Sequence, residues 1–165
     1  MVNYTPKFAD MPDPGQDICT VDDMMSCSYV TFSEEMDIED AVATLLKTDF
    51  ASAPIINKQG YLVGKLTERD CLKLATEMRY HNSQLGQVGD YMTKNVRTIL
   101  EGTNVYTVID RFLSEEAKSF PVVTPENIVV GMVTRKQALR YVTNLRQTTW
   151  GERSHRFPFR KASGK

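Results

Sequence analysis

The sequence predicts a mixed α/β (α+β) protein built from two β-α-β-β-α units packed as a pseudo-twofold pair. Three observations carry this. An apolar strand with a central glycine runs into a threonine-capped helix at Gly64-Lys65-Leu66-Thr67-Glu68-Arg69-Asp70. The device returns 67 residues later at Gly131-Met132-Val133-Thr134-Arg135-Lys136-Gln137. Landmarks on both sides recur at the same offset without a gap: Val21 and Val88, Asp23 and Asp90, Met25 and Met92, Thr31 and Thr98, Pro54 and Pro121, Leu72 and Leu139. One fixed internal period across a whole supersecondary block is the signature of a duplicated unit. A single block of roughly 50 residues could hardly bury its own sheet, so the two are expected to close sheet against sheet.

The elements follow in order. Residues 1–20 read as an irregular arm, because Asp10-Met11-Pro12-Asp13-Pro14-Gly15 is turn and linker chemistry. The first unit spans 21–80. Its opening Tyr29-Val30-Thr31-Phe32 is rich in β-formers and predicts a short strand. Ile38, Ala41, Val42, Leu45 and Leu46 share one helical face, with Asp37 as the N-cap. Ala53-Pro54-Ile55-Ile56 predicts a second strand, with proline near its start where a missing donor is tolerated. Asn57-Lys58-Gln59-Gly60 is a hairpin turn into a third strand over 61–66, and Thr67 caps a helix to about Arg79. A polar connector from His81 to Gln87 leads to the second unit, 88–145, whose helix carries the displaced face Val105, Val108, Ile109, Phe112 and Leu113. Residues 146–165 form a tail outside the repeat.

Composition narrows the function. Apolar residues at 41% and charged residues at 25% fit an ordinary globular chain. A net charge of −1 gives no global pull toward nucleic acid or anionic lipid. Cys19, Cys27 and Cys71 are an odd set with no Cys-x-x-Cys pair, which points to reduced thiols rather than disulfides or zinc. The N-terminus lacks the basic and apolar regions of a secretory signal, and no apolar run approaches the ~20 residues of a membrane span. A soluble, cytoplasmic protein is expected. A catalytic role is not: there is no Ser/His/Asp constellation, metal-ligand spacing or P-loop.

These residues resemble a tandem pair of CBS domains (cystathionine β-synthase domains), the Bateman module. The resemblance rests on the gapless repeat, the proline opening the second strand and the glycine-to-threonine-to-aspartate device. It covers roughly residues 21–145, and the chain is similar to small stand-alone bacterial CBS-domain proteins. The resemblance implies two pseudo-symmetric clefts that bind adenosine-containing ligands such as AMP, ADP, ATP or S-adenosylmethionine. It also implies homodimers formed through the helices, a regulatory role toward some other protein, no catalytic residues, no metal and no cofactor beyond the regulatory ligand.

Carried over residue by residue, the resemblance places the first nucleotide site at Val30, Ala53, Pro54, Thr67 and Asp70, with the small residues of 28–30 and 51–54 lining an adenine slot. The chemistry is sound: a carboxylate accepts both ribose hydroxyls, while a hydroxyl and free helix N–H groups suit phosphate oxygens. Lys65 and Arg69 are near enough in sequence to reach phosphates. The second site would use Arg97, Lys118, Phe120, Pro121 and Thr134. It departs from the pattern, since Gln137 replaces the aspartate and Phe120 stands where the first unit has Ala53. Arg97, Lys118 and Arg135 make this half more basic, so the first site is expected to be the nucleoside site and the second either degenerate or phosphate-biased.

Plainer readings compete. Thr-x-x-Asp and Thr-x-x-Gln are also helix-capping signatures. A ligand-free dimerisation or interaction module would carry the same landmarks. His81 at a helix end complements the helix dipole, and His155 is a lone tail histidine. Cys27 and Cys71 read as core or half-buried thiols, and Glu115-Glu116 as solvated helix charges. The tail sets Arg146, Arg153, Arg156, Arg160, Lys161 and Lys165 against Glu152, with Trp150, Phe157 and Phe159 interleaved. That mixture suits single-stranded nucleic acid, docking on a partner subunit, or a disordered end.

Overall fold

A computed structural model describes residues 19–48, 50–78 and 85–149. The expected arm, except for its last two residues, lies outside this set, as do Arg79, His81 and the tail from Trp150. In the first half, helix α1 (Ile38–Lys47) leads to strands β1 (Ser52–Ile56) and β2 (Leu62–Thr67) and helix α2 (Glu68–Met78). In the second, a short helix α3 (Val88–Tyr91) precedes β3 (Ile99–Leu100), α4 (Val105–Ser114), β4 (Ser119–Val123), β5 (Val129–Thr134) and α5 (Arg135–Thr149). β1 and β2 form an antiparallel pair; β4 pairs antiparallel with β5 and parallel with β3.

Local chemistry explains most boundaries. Asp37 caps α1 by accepting from the Glu39 N–H at 2.8 Å, and Asn104 caps α4 by accepting from Tyr106 at 2.9 Å. The hairpin turns correspond too. Gly60 takes φ +90° between β1 and β2, and Asn127 takes φ +66° at the matching point between β4 and β5. Asparagine is among the few residues that tolerate the left-handed region. It is also held there, because its amide donates to the Leu62 carbonyl at 2.9 Å.

Two expectations fail. The strand over 29–32 reduces to a single parallel bridge between Phe32 and Ile55, with Phe32 N–H donating to Pro54 at 3.1 Å. Tyr29 is engaged elsewhere: its hydroxyl donates to the Val129 carbonyl of the second half at 3.0 Å. The five-position helix faces are also too wide. Ile38, Ala41 and Leu45 are buried in α1 and Val105, Val108 and Phe112 in α4, but Leu46 and Leu113 face outward. The underlying sheet covers only part of the stripe that helical periodicity marks as apolar.

The halves obey the repeat in their cross-contacts. Ser26 and Met132 exchange backbone hydrogen bonds at 2.8 and 3.0 Å, and Thr93 and Lys65 do so at 2.9 and 3.0 Å. Val21 N–H donates to Thr103 at 2.8 Å and Val88 to Met36 at 2.9 Å. The opening turns are thereby exchanged. Val21 and Met24 pack in the core built by α4, β4 and β5, while Val88 and Met92 pack in the core built by α1, β1 and β2. The spatial halves are thus not the sequence repeats, and neither repeat alone completes a core. A third cluster, Leu62, Val123 and Val129, joins the two. Among the described residues no helix is long and apolar enough to cross a membrane.

Candidate functional site

The Gly64–Asp70 stretch lies where the halves meet. Gly64 is needed for close approach, since a Cβ there would collide with the Met92 side chain crossing over it. Gly131 stands in the same relation to Met25, with the Ser26 carbonyl only 3.2 Å from an added Cβ. β2 alternates burial, so Lys65 and Thr67 share its half-buried face. At the start of α2, the Thr67 N–H and hydroxyl donate to Asp70 Oδ2 at 3.1 and 2.7 Å, and the Asp70 N–H donates back to Thr67 Oγ1 at 3.2 Å. This is a reciprocal cap. Asp70 is 5% exposed, and its Oδ1 accepts from the exposed Lys73 ammonium at 3.0 Å.

Lys65 extends across the boundary and donates to the Ser119 carbonyl at 3.0 Å. Burial pushes its ammonium below the ordinary lysine value, and the Asp70 and Glu115 carboxylates pull it back up. Beside it Ser52 and Ser119, equivalent residues of the two repeats, share a hydrogen bond of 2.7 Å between buried hydroxyls. The pseudo-axis passes here.

The second motif has the same backbone geometry with different chemistry. Gln137 Oε1 accepts from the Thr134 N–H and hydroxyl at 2.7 and 2.9 Å, and the Gln137 N–H donates to Thr134 Oγ1 at 3.2 Å. One amide oxygen does here what one carboxylate oxygen does in the first half. Phe120 is fully buried in the second core, 4.8 Å from the Phe112 ring and under the Arg111 guanidinium at 5.0 Å. The Pro121 counterpart is also buried. Lys118 lies 3.4 Å from Glu68 of the first half, and Arg135 donates to the Ala117 carbonyl at 2.9 Å.

Glu115 corrects the sequence reading. It is not a solvated charge: its side chain is 14% exposed and held between Arg111 Nε at 2.7 Å and Arg97 Nη1 at 2.9 Å. These two arginines, Arg111 foremost, hold its carboxyl below the ordinary value of 4.5. A depressed carboxylate contributes stability that is complete above the unfolded-state value and is lost as pH falls through the folded one. Glu115→Gln is therefore expected to lower the urea midpoint at neutral pH. That deficit should shrink below about pH 4, where the wild type loses the same contacts. A deficit that stays constant with pH would count against the ion pairs as its source.

The other expected first-site residues are placed as follows. Val30 is half-buried against the first core, Ala53 is fully buried in it, Pro54 is fully buried, and Arg69 is exposed. The side chains of Ala53 and Pro54 are thus engaged in packing. Cys27 is exposed rather than core, and Cys71 is half-buried, with burial raising its thiol above the ordinary value. The structure brings Lys65, Thr67 and Asp70 of one half to Ser119 and Glu115 of the other. The reach of Lys65 and the roles of Glu115 and Ser119 escaped sequence reasoning. The identical Ser52 and Ser119 at the repeat offset were the signal available. Among the described residues no group of His, Cys, Asp and Glu could hold a metal ion. An apolar cavity of about 350 Å³ lies between α1 and α2, lined by Ile38, Val42, Leu46, Cys71, Leu74 and Leu85.

Comparison with known proteins gives a consistent result. A family model described as CBS domain matches residues 21–77 and again 88–144. An uncharacterised protein of Methanocaldococcus jannaschii, MJ1225, is 28% identical over 114 residues, covering 69% of this chain and 39% of that protein. The 5'-AMP-activated protein kinase subunit gamma of Saccharomyces cerevisiae is 26% identical over 141 residues, covering 82% of this chain and 42% of the subunit. The chain thus spans well under half of either relative. Among solved structures, the CBS domain pair of protein MJ0100 in complex with 5'-methylthioadenosine and S-adenosyl-L-methionine superposes with a TM-score of 0.68 at 27% identity. That superposition covers 78% of this chain and 98% of the pair.

Proposed function

Since the chain belongs to the CBS-domain family, with two copies over residues 21–77 and 88–144, we propose that it is a regulatory module sensing an adenosine-containing ligand. The ligand would sit in the cleft between the CBS units, mainly at the first-repeat site. The observation that carries this is the inequality of two superposable caps. Both have a threonine and a helix N-terminus, but only the first has a buried carboxylate, Asp70, with an exposed lysine on its second oxygen. A carboxylate has about four acceptor positions. Displacing Lys73 frees Oδ1 for a ribose hydroxyl while Oδ2 continues to cap α2. The complex of the MJ0100 pair with two adenosine derivatives supports the ligand class.

The test is melting temperature against adenosine, AMP, ADP, ATP and S-adenosylmethionine. A ligand at 100 times its Kd is expected to stabilise the protein by about 2.7 kcal/mol. No shift with any member of the panel would sink the sensor reading and leave a ligand-free dimerisation or interaction module.

A homodimer is the second reading, favoured by a surface observation. Leu46, Leu72, Leu113 and Leu139 are each at least 65% exposed. They are two pairs at the repeat offset, on α1 and α4 and on α2 and α5. Apolar side chains facing water at symmetry-related helix positions suit a symmetric contact between copies. Leu46→Glu combined with Leu113→Glu is expected to convert a dimer to a monomer in sedimentation equilibrium. A wild type that sediments as a monomer would overturn the homodimer.

A further inference from the structure

We infer that Lys65 is the charge-selecting residue of the first cleft, so that the module favours phosphorylated adenosine ligands over neutral or cationic ones. This rests on the adenosine reading above and specifies the ligand's charge. The starting observation is an asymmetry. Lys65 and Met132 are equivalent residues, each in the middle of its strand and each exchanging backbone hydrogen bonds with the other half. Met132 is buried. Packing therefore asks only for an unbranched apolar stem at this position, which lysine supplies through its methylenes. The ammonium is surplus to packing, and a half-buried charge has a desolvation cost. Only one donor of that ammonium has a partner among the described hydrogen bonds, the Ser119 carbonyl at 3.0 Å. An ammonium has three donors.

The surroundings indicate what the other two would meet. Lys65 shares the half-buried face of β2 with Thr67, whose hydroxyl opens α2 two residues on. Asp70 and Glu115, the carboxylates that act on Lys65, come from opposite halves and are both already paired: Asp70 with Lys73, Glu115 with Arg111 and Arg97. The N–H groups of Thr67, Glu68 and Asp70 at the start of α2 are already engaged by Asp70, Ala51 and Thr67. An anion arriving beside Thr67 would thus be met by the one ammonium with donors to spare, a point charge that favours a phosphate. A neutral thioether gains nothing from it, and a sulfonium is repelled. Because Lys65 also holds Ser119, a phosphate bound to it is tied to both halves of the module.

The experiment is calorimetric titration of the full chain with adenosine, AMP and S-adenosylmethionine. It compares wild type, Lys65→Met (which copies the equivalent position) and Lys65→Arg. The wild type is expected to bind AMP at least about tenfold more tightly than adenosine, a difference of about 1.4 kcal/mol. Lys65→Met should bring the two within about threefold of each other, and Lys65→Arg should keep the preference. Added salt should weaken AMP more than adenosine in the wild type, a readout that needs no variant. A preference that survives in Lys65→Met, or a wild type that binds adenosine and AMP alike, overturns the charge selection while the adenosine reading stands. A wild type that binds none of the three, nor ADP or ATP, overturns both.

Discussion

Phe120→Ala is expected to lower the stability of the protein by about 3–5 kcal/mol, the range for removing a fully buried phenylalanine. The ring has no exposed surface and is held from two sides. The Phe112 ring meets it at 4.8 Å and 48°, a tilted arrangement that adds to simple area burial. The Arg111 guanidinium lies 5.0 Å from its centroid while bonding to Glu115 and to the Thr98 carbonyl. Removing the ring therefore leaves a cavity and also takes away the surface on which a paired arginine rests. Chemical denaturation should show the loss as a lower midpoint with an unchanged slope. A thermal scan should show a fall of roughly 6–20 °C, taking about 2–4 °C per kcal/mol for a chain of this size. A loss under about 1 kcal/mol would mean that the second core collapses around the gap. The equivalent first-half position is Ala53, also fully buried, so the variant tests whether the two cores are built to different volumes.

Asp70→Asn is expected to separate capping from binding. An asparagine oxygen can accept from the Thr67 N–H and hydroxyl as Gln137 Oε1 does for Thr134, so the reciprocal cap is kept with an amide in place of the carboxylate. The stability cost should thus stay near or below about 1 kcal/mol. Binding should suffer more. Hydrogen bonds to a charged group contribute about 1.5–3 kcal/mol, so losing the carboxylate is expected to weaken adenosine about 10–100-fold. The companion measurement uses 2'-deoxyadenosine, which lacks one of the two hydroxyls. It should bind weakly to the wild type and lose little further in the variant. Equal affinity of wild type and Asp70→Asn for adenosine would remove Asp70 from the site and leave it as a helix cap.

The two predictions differ in how far the sequence could have anticipated them. Asp70 against Gln137 and Ala53 against Phe120 are visible by laying one repeat on the other. That both motifs can close into a cap is also legible there, since Thr-x-x-Asp and Thr-x-x-Gln are capping signatures; what the pattern leaves out is whether another ligand competes for the same donors and acceptors. Lys65 shows the limit from the other side. Its neighbours in sequence say that it is near the motif. Its partner Ser119 is 54 residues away, and no local pattern encodes that distance. The Glu115 cluster is legible in half: Arg111 is its i−4 neighbour, a pairing that helical spacing offers, whereas Arg97 comes from before α4 and no local pattern marks it.

By itself the sequence determined the duplicated unit, the order of its elements and the caps and turns at their ends. Each of these rests on contacts between residues close in the chain or on a period that counting reveals. Tertiary structure alone decided which half each opening turn joins, since a repeat at 67 residues is satisfied equally whether Val21 packs on its own copy or, as it does, on the other. It also decided that Leu46 and Leu113 face water, because helical periodicity marks an apolar stripe without saying how much of it a small sheet can cover. The place of Lys65 was settled in the same way, by the long-range pairing of two sheets that brings its ammonium to Ser119 across the boundary between the halves.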